Sequence, residues 1–448
     1  MATQALKVKR ILVTDVLARY THEVQYGDGQ QFVIIYGPNG VGKTKFLEVV
    51  DGLLNLSWRA LREIPFGNAT IAFEDGTHFE VNRIAIQNPE LEIILQFQLS
   101  RPSNEETVWK VETREYMKFD AWLRKETPYL PFRGTIWHDP TDGEMVEYAD
   151  LERRYGHRAG SPASQEIVSG PPDELVEFTT RIASHLIETQ RLKIDANYNE
   201  FRNRHDSRQR VPTSTIIDYA SGMKRLLADA LAANSRITQQ LDRTFPSRML
   251  NQGSSIGTSE PDIRKKYEAQ DKFRSRLAQI AHTKLDPELS LPERSLTASE
   301  ISMLDLYLSD ADNKLETFEE LLGKITLLEE VVNARLLGKT LHIDALSGIE
   351  VLQNDSEVSL DLDSLSSGEQ HEIILMYDLL FNVRRGSLVL IDEPEISLHV
   401  SWQIKFISDV ERISRIAGFQ FLVATHSPQI IDKWWGFAKQ LGPEDAEF

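Results

Sequence analysis

The sequence contains no cysteine, which excludes a disulfide framework, a thiolate metal site and a cysteine nucleophile. It also lacks any run approaching the ~20 apolar residues of a membrane span. The first residues, MATQALKVKR, have neither the apolar core nor the cleavage site of a signal peptide. These absences are what a cytoplasmic protein with no membrane association would have. Positive charge is scarce too: 50 Lys and Arg stand against 68 Asp and Glu, a net charge of −18. That balance argues against a protein that coats nucleic acid through bulk charge. The 448 residues are 41% apolar and 26% charged, an ordinary globular composition with room for two or three cored units.

The scarce cations are clustered. Arg153, Arg154 and Arg158 form one group, and Arg202, Arg204, Arg208 and Arg210 a second. Arg264, Lys265, Lys266, Lys272, Arg274 and Arg276 fall on a predicted helix. Such groups suit either DNA or an acidic partner surface. They equally suit the acids of the next helix, Asp305, Asp310, Asp312, Glu316, Glu319, Glu320, Glu329 and Glu330.

The first ~210 residues read as mixed strand and helix. Val33 to Tyr36 is a short apolar strand stopped by Gly37-Pro38, and Lys43 to Leu54 has helical spacing. Thr70 to Phe73 and Thr77 to Val81 flank Asp75-Gly76, a hairpin signal. From Pro212 the pattern changes to long helices. Ile216, Met223, Ala230 and Ile237 repeat every seven residues in a helix expected to stop at Pro246. A further seam runs through Leu304, Leu308, Ala311, Leu315, Phe318, Leu322, Ile325, Glu329, Val332 and Leu336, with Glu329 its one polar break. Thr297 and Glu300 form its capping box, and Gly338 is its expected stop. The reading is an α/β head, residues 1–211 and 339–448, split by a helical, coiled-coil-like insertion at 212–338.

Four segments carry chemistry. Gly37, Pro38, Asn39, Gly40, Val41, Gly42, Lys43 and Thr44 match G-x-x-x-x-G-K-[ST]. The glycines let backbone N–H groups wrap phosphate oxygens, Lys43 reaches the β and γ phosphates, and Thr44 offers a hydroxyl to Mg²⁺. SLVLIDEPE, Ser387 to Glu395, is a buried strand ending in carboxylates. Asp392 is placed to hold hydrated Mg²⁺, and Glu393 to polarise an attacking water. LSSGEQ, Leu365 to Gln370, opens a helix predicted over Glu369 to Phe381. Ser366 and Glu369 have capping-box spacing, while Ser367 and the Gly368 backbone could meet a γ-phosphate. In ATHSP, Ala424 to Pro428, His426 follows a strand and could bond the γ-phosphate.

The order GPNGVGKT, LSSGEQ, LVLIDEPEISLH, ATHSP resembles the ABC ATPase superfamily. That resemblance implies a homodimer in which each ATP lies between the phosphate loop of one chain and the signature motif, Ser366 to Glu369, of the other. It implies that Glu395 to His399 forms the D-loop across the seam, and that Gln190 in IETQR senses Mg²⁺ and the γ-phosphate. Serine at 367 and glutamate at 369 depart from the common LSGGQ, as in SMC-, RecF- and OLD-like branches. DEPEISLH followed by Trp402-Gln403 is similar to the OLD-like branch. The chain ends 22 residues beyond His426, so a Toprim nuclease domain of the OLD type is expected on a separate polypeptide. The arrangement most resembles the ATPase subunits of two-component anti-phage systems, the PARIS ATPase first and the Septu ATPase second. What this implies is an ATP-dependent sensor and scaffold that controls an effector nuclease in trans. A phage-encoded trigger and a higher oligomer of dimers remain open, and a DNA-clamping repair ATPase of the SMC/RecF type is the alternative.

Overall fold

The computed structural model describes residues 6–85, 93–133, 136–141, 144–159, 171–188, 215–251, 259–280, 291–356, 358–396 and 398–442. It divides into two compact units, Met1–Gln190 with Val383–Phe448, and Arg191–Asn382. Among the described residues, no helix is long and apolar enough to cross a membrane.

The first unit opens with β1 (Val8–Val16), β2 (Tyr20–Gln25) and β3 (Phe32–Tyr36), then α1 (Lys43–Leu54) and α2 (Trp58–Glu63). Strands β4 (Asn68–Phe73), β5 (His78–Ala85), β6 (Ile93–Ser100) and β7 (Glu106–Glu112) follow. With β1 and β2 they make an antiparallel sheet ordered β2-β1-β4-β5-β6-β7. The β4–β5 turn forms where Asp75-Gly76 predicts it: Gly76 has φ +84°, and the Asp75 carboxylate accepts the Thr77 N–H at 2.9 Å. β6 alternates buried and half-buried positions along its length, so one face of this sheet enters the core. Helix α3 (Thr113–Glu126), the small antiparallel sheet of β8 (Leu130–Arg133), β9 (Ile136–His138) and β10 (Met145–Glu147), and helices α4 (Tyr148–Ala159) and α5 (Asp173–Arg181) come next. Strand β11 (Ser184–Glu188) completes the segment.

The second unit contains α6 (Thr215–Asn251), α7 (Glu260–Ile280) and α8 (Ala298–Asn333). Pro246 does not stop α6; the helix continues five residues beyond it. Proline lacks only its own N–H and disturbs one turn. The carbonyl that loses its helical donor is that of Asp242, four residues back, and beyond the proline Arg248 holds the helix to Asp310 of α8 at 2.6 Å. The seven-residue seam is buried at Ile216 and Met223, with Leu227 one turn on, and half-exposed toward the far end of α6.

Helix α8 begins with the expected box: Thr297 and Glu300 each cap the other's backbone. It ends at Asn333, before Gly338, because Ala334 already closes the last turn. Leu308, Ala311, Phe318, Leu322, Ile325 and Val332 are buried on its seam. Glu329, the polar break, pairs with Arg276 of α7 and accepts the Ile343 N–H at 3.1 Å. Lys266 pairs with Asp305 at 3.5 Å and Arg264 with Glu260 at 2.8 Å. These members of the basic helix are therefore engaged within the unit.

Strands β12 (Lys339–Asp344), β13 (Gly348–Gln353) and β14 (Ser359–Leu360) form a small antiparallel sheet, and α9 (Ser367–Tyr377) runs into a π-turn at Asp378–Asn382. Helix α9 starts two residues earlier than the sequence suggests, at the residue after its Ser366 cap.

The chain then returns to the first unit with β15 (Leu388–Asp392), α10 (Val400–Ala417), β16 (Gln420–Thr425), α11 (Pro428–Ile431) and β17 (Ala438–Gln440). These complete a parallel sheet ordered β11-β15-β16-β3-β17. All six residues of β16 are buried, as are four of five in β15, which is why these strands read as unbroken apolar runs. Asp392 is in register with Ala424, and Thr425 with Tyr36. The carboxyl ends of β3, β15 and β16 therefore lie side by side, where α/β sheets place their ligands. The fold is an α/β phosphate-loop fold whose sequence is interrupted by long helices.

Candidate nucleotide site

The loop between β3 and α1 owes its shape to three glycines. Gly40 and Gly42 lie at φ +84° and +89°, conformations that side chains with a Cβ resist. A Cβ on Gly42 would fall 2.8 Å from Val16 of β1, and one on Gly37 would strike the Leu441 carbonyl. His22 of β2, fully buried, bonds the Val41 carbonyl at 2.7 Å and fixes the loop from below. Burial holds its pKa below the usual histidine value, so the neutral ring donates its Nε2–H.

Helix α1 is anchored by Phe46, Leu47, Val50, Leu53 and Leu54, all with no exposed surface; such burial is worth about 1.5–3 kcal/mol per side chain. Its N-terminus has no side-chain cap and no acid in the first turn. Those first N–H groups and the positive end of the helix dipole suit an anion. The residues present thus fit a phosphate chain.

Lys43 is 5% exposed. Its ammonium donates to the Gly37 carbonyl at 2.9 Å and the Pro38 carbonyl at 3.3 Å, and meets His426 Nε2 at 2.6 Å. Burial lowers its pKa, against the opposing pull of Glu393, Asp392 and Glu395. His426 is also shifted downward, by burial first and by the Lys43 charge second. A neutral imidazole accepting from Lys43 through Nε2 satisfies both shifts. Glu393 Oε1 lies 3.3 Å from the same Nε2. The ammonium also lies 3.3 Å from Nδ1 of the same ring.

The Thr44 hydroxyl donates to Asp392 Oδ2 at 2.9 Å. This pair of hard oxygen groups beside the phosphate loop is the donor set that fits Mg²⁺; among the described residues no cluster of three His or carboxylate ligands exists. Glu393 sits at φ +47°, a strained conformation for a residue with a side chain. Its N–H is held by the Ala424 carbonyl at 2.9 Å, which turns the chain sharply after β15.

Sequence reasoning missed three supports. His22 lies far from any motif, and only β1–β2 pairing brings it under the loop. Glu395 accepts the His426 backbone N–H at 2.6 Å. Gln403 joins the turn after β15 to Ser427. The DEPE and ATHSP segments were visible, but not this pairing between them. Gln190 lies outside the described residues, as do Arg202, Arg204, Arg208 and Arg210.

The signature segment belongs to the second unit. Ser366 caps α9, and Glu369 returns bonds to the Ser366 N–H and hydroxyl, both at 2.9 Å. Lys339 grips the Glu369 carboxylate at 2.8 and 2.9 Å. Burial alone would raise that carboxyl's pKa, but Lys339 and Ser366 outweigh it and the net shift is downward. Ser367 is exposed at the first turn of the helix.

A glycine loop on a helix N-terminus, a buried lysine, and a threonine–aspartate pair followed by glutamate define a nucleoside triphosphatase of the phosphate-loop class. Residues 24–431 match the family described as AAA ATPase domain, and the chain belongs to that family. It is therefore an ATP-binding ATPase-domain protein. A stretch of 177 residues is 27% identical to the Retron Ec83 probable ATPase of Escherichia coli, covering 33% of this chain and 32% of that one. A stretch of 106 residues is 32% identical to the Retron Vc95 probable ATPase of Vibrio cholerae serotype O1 biovar El Tor, covering 21% and 19%. The chain thus matches a third or less of each relative's length.

Among solved structures, it is similar to the Smc head domain with an extended coiled coil, bound to the C-terminal domain of ScpA, from Pyrococcus furiosus. The TM-score is 0.36 at 12% identity, over 95% of this chain and 91% of that one. The SMC head domain from Thermotoga maritima gives a TM-score of 0.31 at 12% identity, over the same shares.

Proposed function

We propose that the chain is an ATP-hydrolysing sensor and scaffold of an anti-phage defence complex, acting on a separately encoded effector nuclease of the Toprim type. The observation that carries the ATPase part is the meeting of Lys43, Thr44, Asp392, Glu393 and His426 at the adjoining ends of three parallel strands. Lys43 and the α1 N-terminus bind and orient the phosphates. Thr44 and Asp392 hold Mg²⁺, which when bound neutralises charge building on the phosphate oxygens. Glu393 takes a proton from the attacking water, and His426 is placed to report the γ-phosphate once Lys43 turns toward it.

The motif order supports an ABC-type assembly in which Ser367 and the α9 N-terminus of a second copy complete the site. The local similarity to probable ATPases of retrons supports a role in defence, with the PARIS ATPase as the kind of subunit it resembles. Membrane association is not part of the reading.

The experiment is purification of the Glu393→Gln chain, expressed with its genomic neighbours, in ATP. The expected result is a stoichiometric nuclease subunit in the complex. A bare dimer that retains DNA would replace the defence reading with a DNA clamp.

A further inference from the structure

Gln403 stands on the first turn of α10, is 7% exposed, and belongs to none of the nucleotide motifs. Its amide orientation is forced. Nε2 faces the Leu398 carbonyl at 3.2 Å and the Glu395 carbonyl at 3.4 Å, groups that can only accept. Oε1 must then accept, and it takes the Ser427 hydroxyl at 2.8 Å. The same two turns are joined a second time, where the Glu395 carboxylate accepts the His426 N–H at 2.6 Å. One buried amide and one carboxylate therefore span the gap between residues 395–398 and residues 426–427. Between those bonds lies the imidazole that touches Lys43 at 2.6 Å and Glu393 at 3.3 Å.

The outer side of this clasp is apolar and solvent-facing. Ile396 is 54% exposed and Val400 is 55% exposed. They flank Leu398, which is buried. The outer turn reaches the 426–427 turn through two links, the Gln403–Ser427 bond at 2.8 Å and the Glu395–His426 bond at 2.6 Å.

We propose that Gln403 is a positioning residue: it locks the 395–398 turn to the 426–427 turn, so that His426 keeps its register with Lys43 and Glu393 only while the outer turn is in place. The inference rests on the reading of His426 as a part of the hydrolytic site. Gln403 touches no reacting group itself; it acts through Ser427 and the Glu395 turn.

Three single variants separate the role from bulk packing. Gln403→Glu keeps the volume and the acceptor for Ser427 but turns an anion onto two carbonyls. Gln403→Met keeps the shape and removes all three bonds. Ser427→Ala removes only the far contact. Expected are a kcat for ATP hydrolysis lowered roughly 10-fold to 100-fold, as for small misplacements of a catalytic group, and a KM for ATP unchanged within about twofold. The double variant Gln403→Met/Ser427→Ala should be no worse than the poorer single, because both ends belong to one link.

In the nucleotide-free protein, amide hydrogen exchange over residues 424–428 should quicken about tenfold in each single variant as that turn is released. The exchange measurement decides the clasp even in a protein that does not hydrolyse ATP; absence of turnover in the parent chain would count against the hydrolysis reading alone. Unchanged exchange at 424–428, additive losses in the double variant, or a fall in kcat matched by a rise in KM and a lower melting temperature would overturn the proposal.

Discussion

Lys43 and His426, 383 positions apart in sequence, meet through Nζ and Nε2 at 2.6 Å. The contact exists because β16 lies between β3 and β15, which sets the residue after β16 against the loop after β3. It keeps a buried ammonium bonded until phosphates arrive, and keeps the imidazole neutral meanwhile.

Lys43→Ala removes the only side-chain cation that bonds the phosphate-loop carbonyls among the described residues. Nucleotide affinity should fall about 100-fold or more, since a charge-assisted contact of this type is lost from a buried site. Calorimetric titration with ATP checks it, with circular dichroism to verify folding. An affinity equal to that of the parent chain would remove Lys43 from the phosphate site.

Glu393→Gln should retain ATP binding and lower turnover about 100-fold or more, because the amide cannot accept the water proton. The substitution leaves the side-chain length and the strained φ of +47° in place. Native mass measurement should find the ATP-bound dimer accumulated. Turnover at the parent rate would take Glu393 out of the base role.

The pH dependence has a definite sign. His426 is held below its ordinary value in the fold, by burial and then by Lys43, so the unfolded chain binds a proton at higher pH than the native one does. Its contribution to stability is present above about pH 6.5 and is lost as pH falls through the lowered folded pKa. In nucleotide-free protein, cooling of the melting temperature between pH 7.5 and pH 5.5 should be smaller in His426→Gln than in the parent. An identical decline in both would show that the histidine does not titrate as described.

Arg276→Ala leaves Glu329 nearly buried, bonded to the Ile343 N–H but without its cation. Breaking one side of such a pair costs about 3–5 kcal/mol when both groups are buried; with Arg276 31% exposed, about 2 kcal/mol is expected. Urea unfolding of the variant measures it. A change under about 0.5 kcal/mol would reduce the pair to a surface contact.

The sequence made much of this architecture legible wherever a feature is local. GPNGVGKT carries its own glycines and its own helix start, and the run Leu388 to Ile391 advertises a strand buried on both faces. The Asp75-Gly76 turn and the Thr297–Glu300 box are equally self-contained. What stayed hidden depends on contacts between distant segments. Nothing near His22 announces that it supports the Val41 carbonyl, and Gln403 looks like any polar residue on an amphipathic helix. Pro246 was legible as a disturbance but not as a survivable one, because the bond that holds the helix beyond it, Arg248 to Asp310, joins segments 62 positions apart. Glu329 read as a defect in a seam until Arg276 and the Ile343 amide gave it partners.

The proposed function places each ATP site between two copies, with the phosphate loop from one and Ser367 from the other. It is tested most directly by mixing two inactive chains, Lys43→Ala and Ser367→Arg, and measuring ATP turnover. A shared site predicts recovery to roughly a quarter of the parent rate at equal mixing, because half the dimers then hold one intact site. A mixture as inactive as its two components would contradict the shared site.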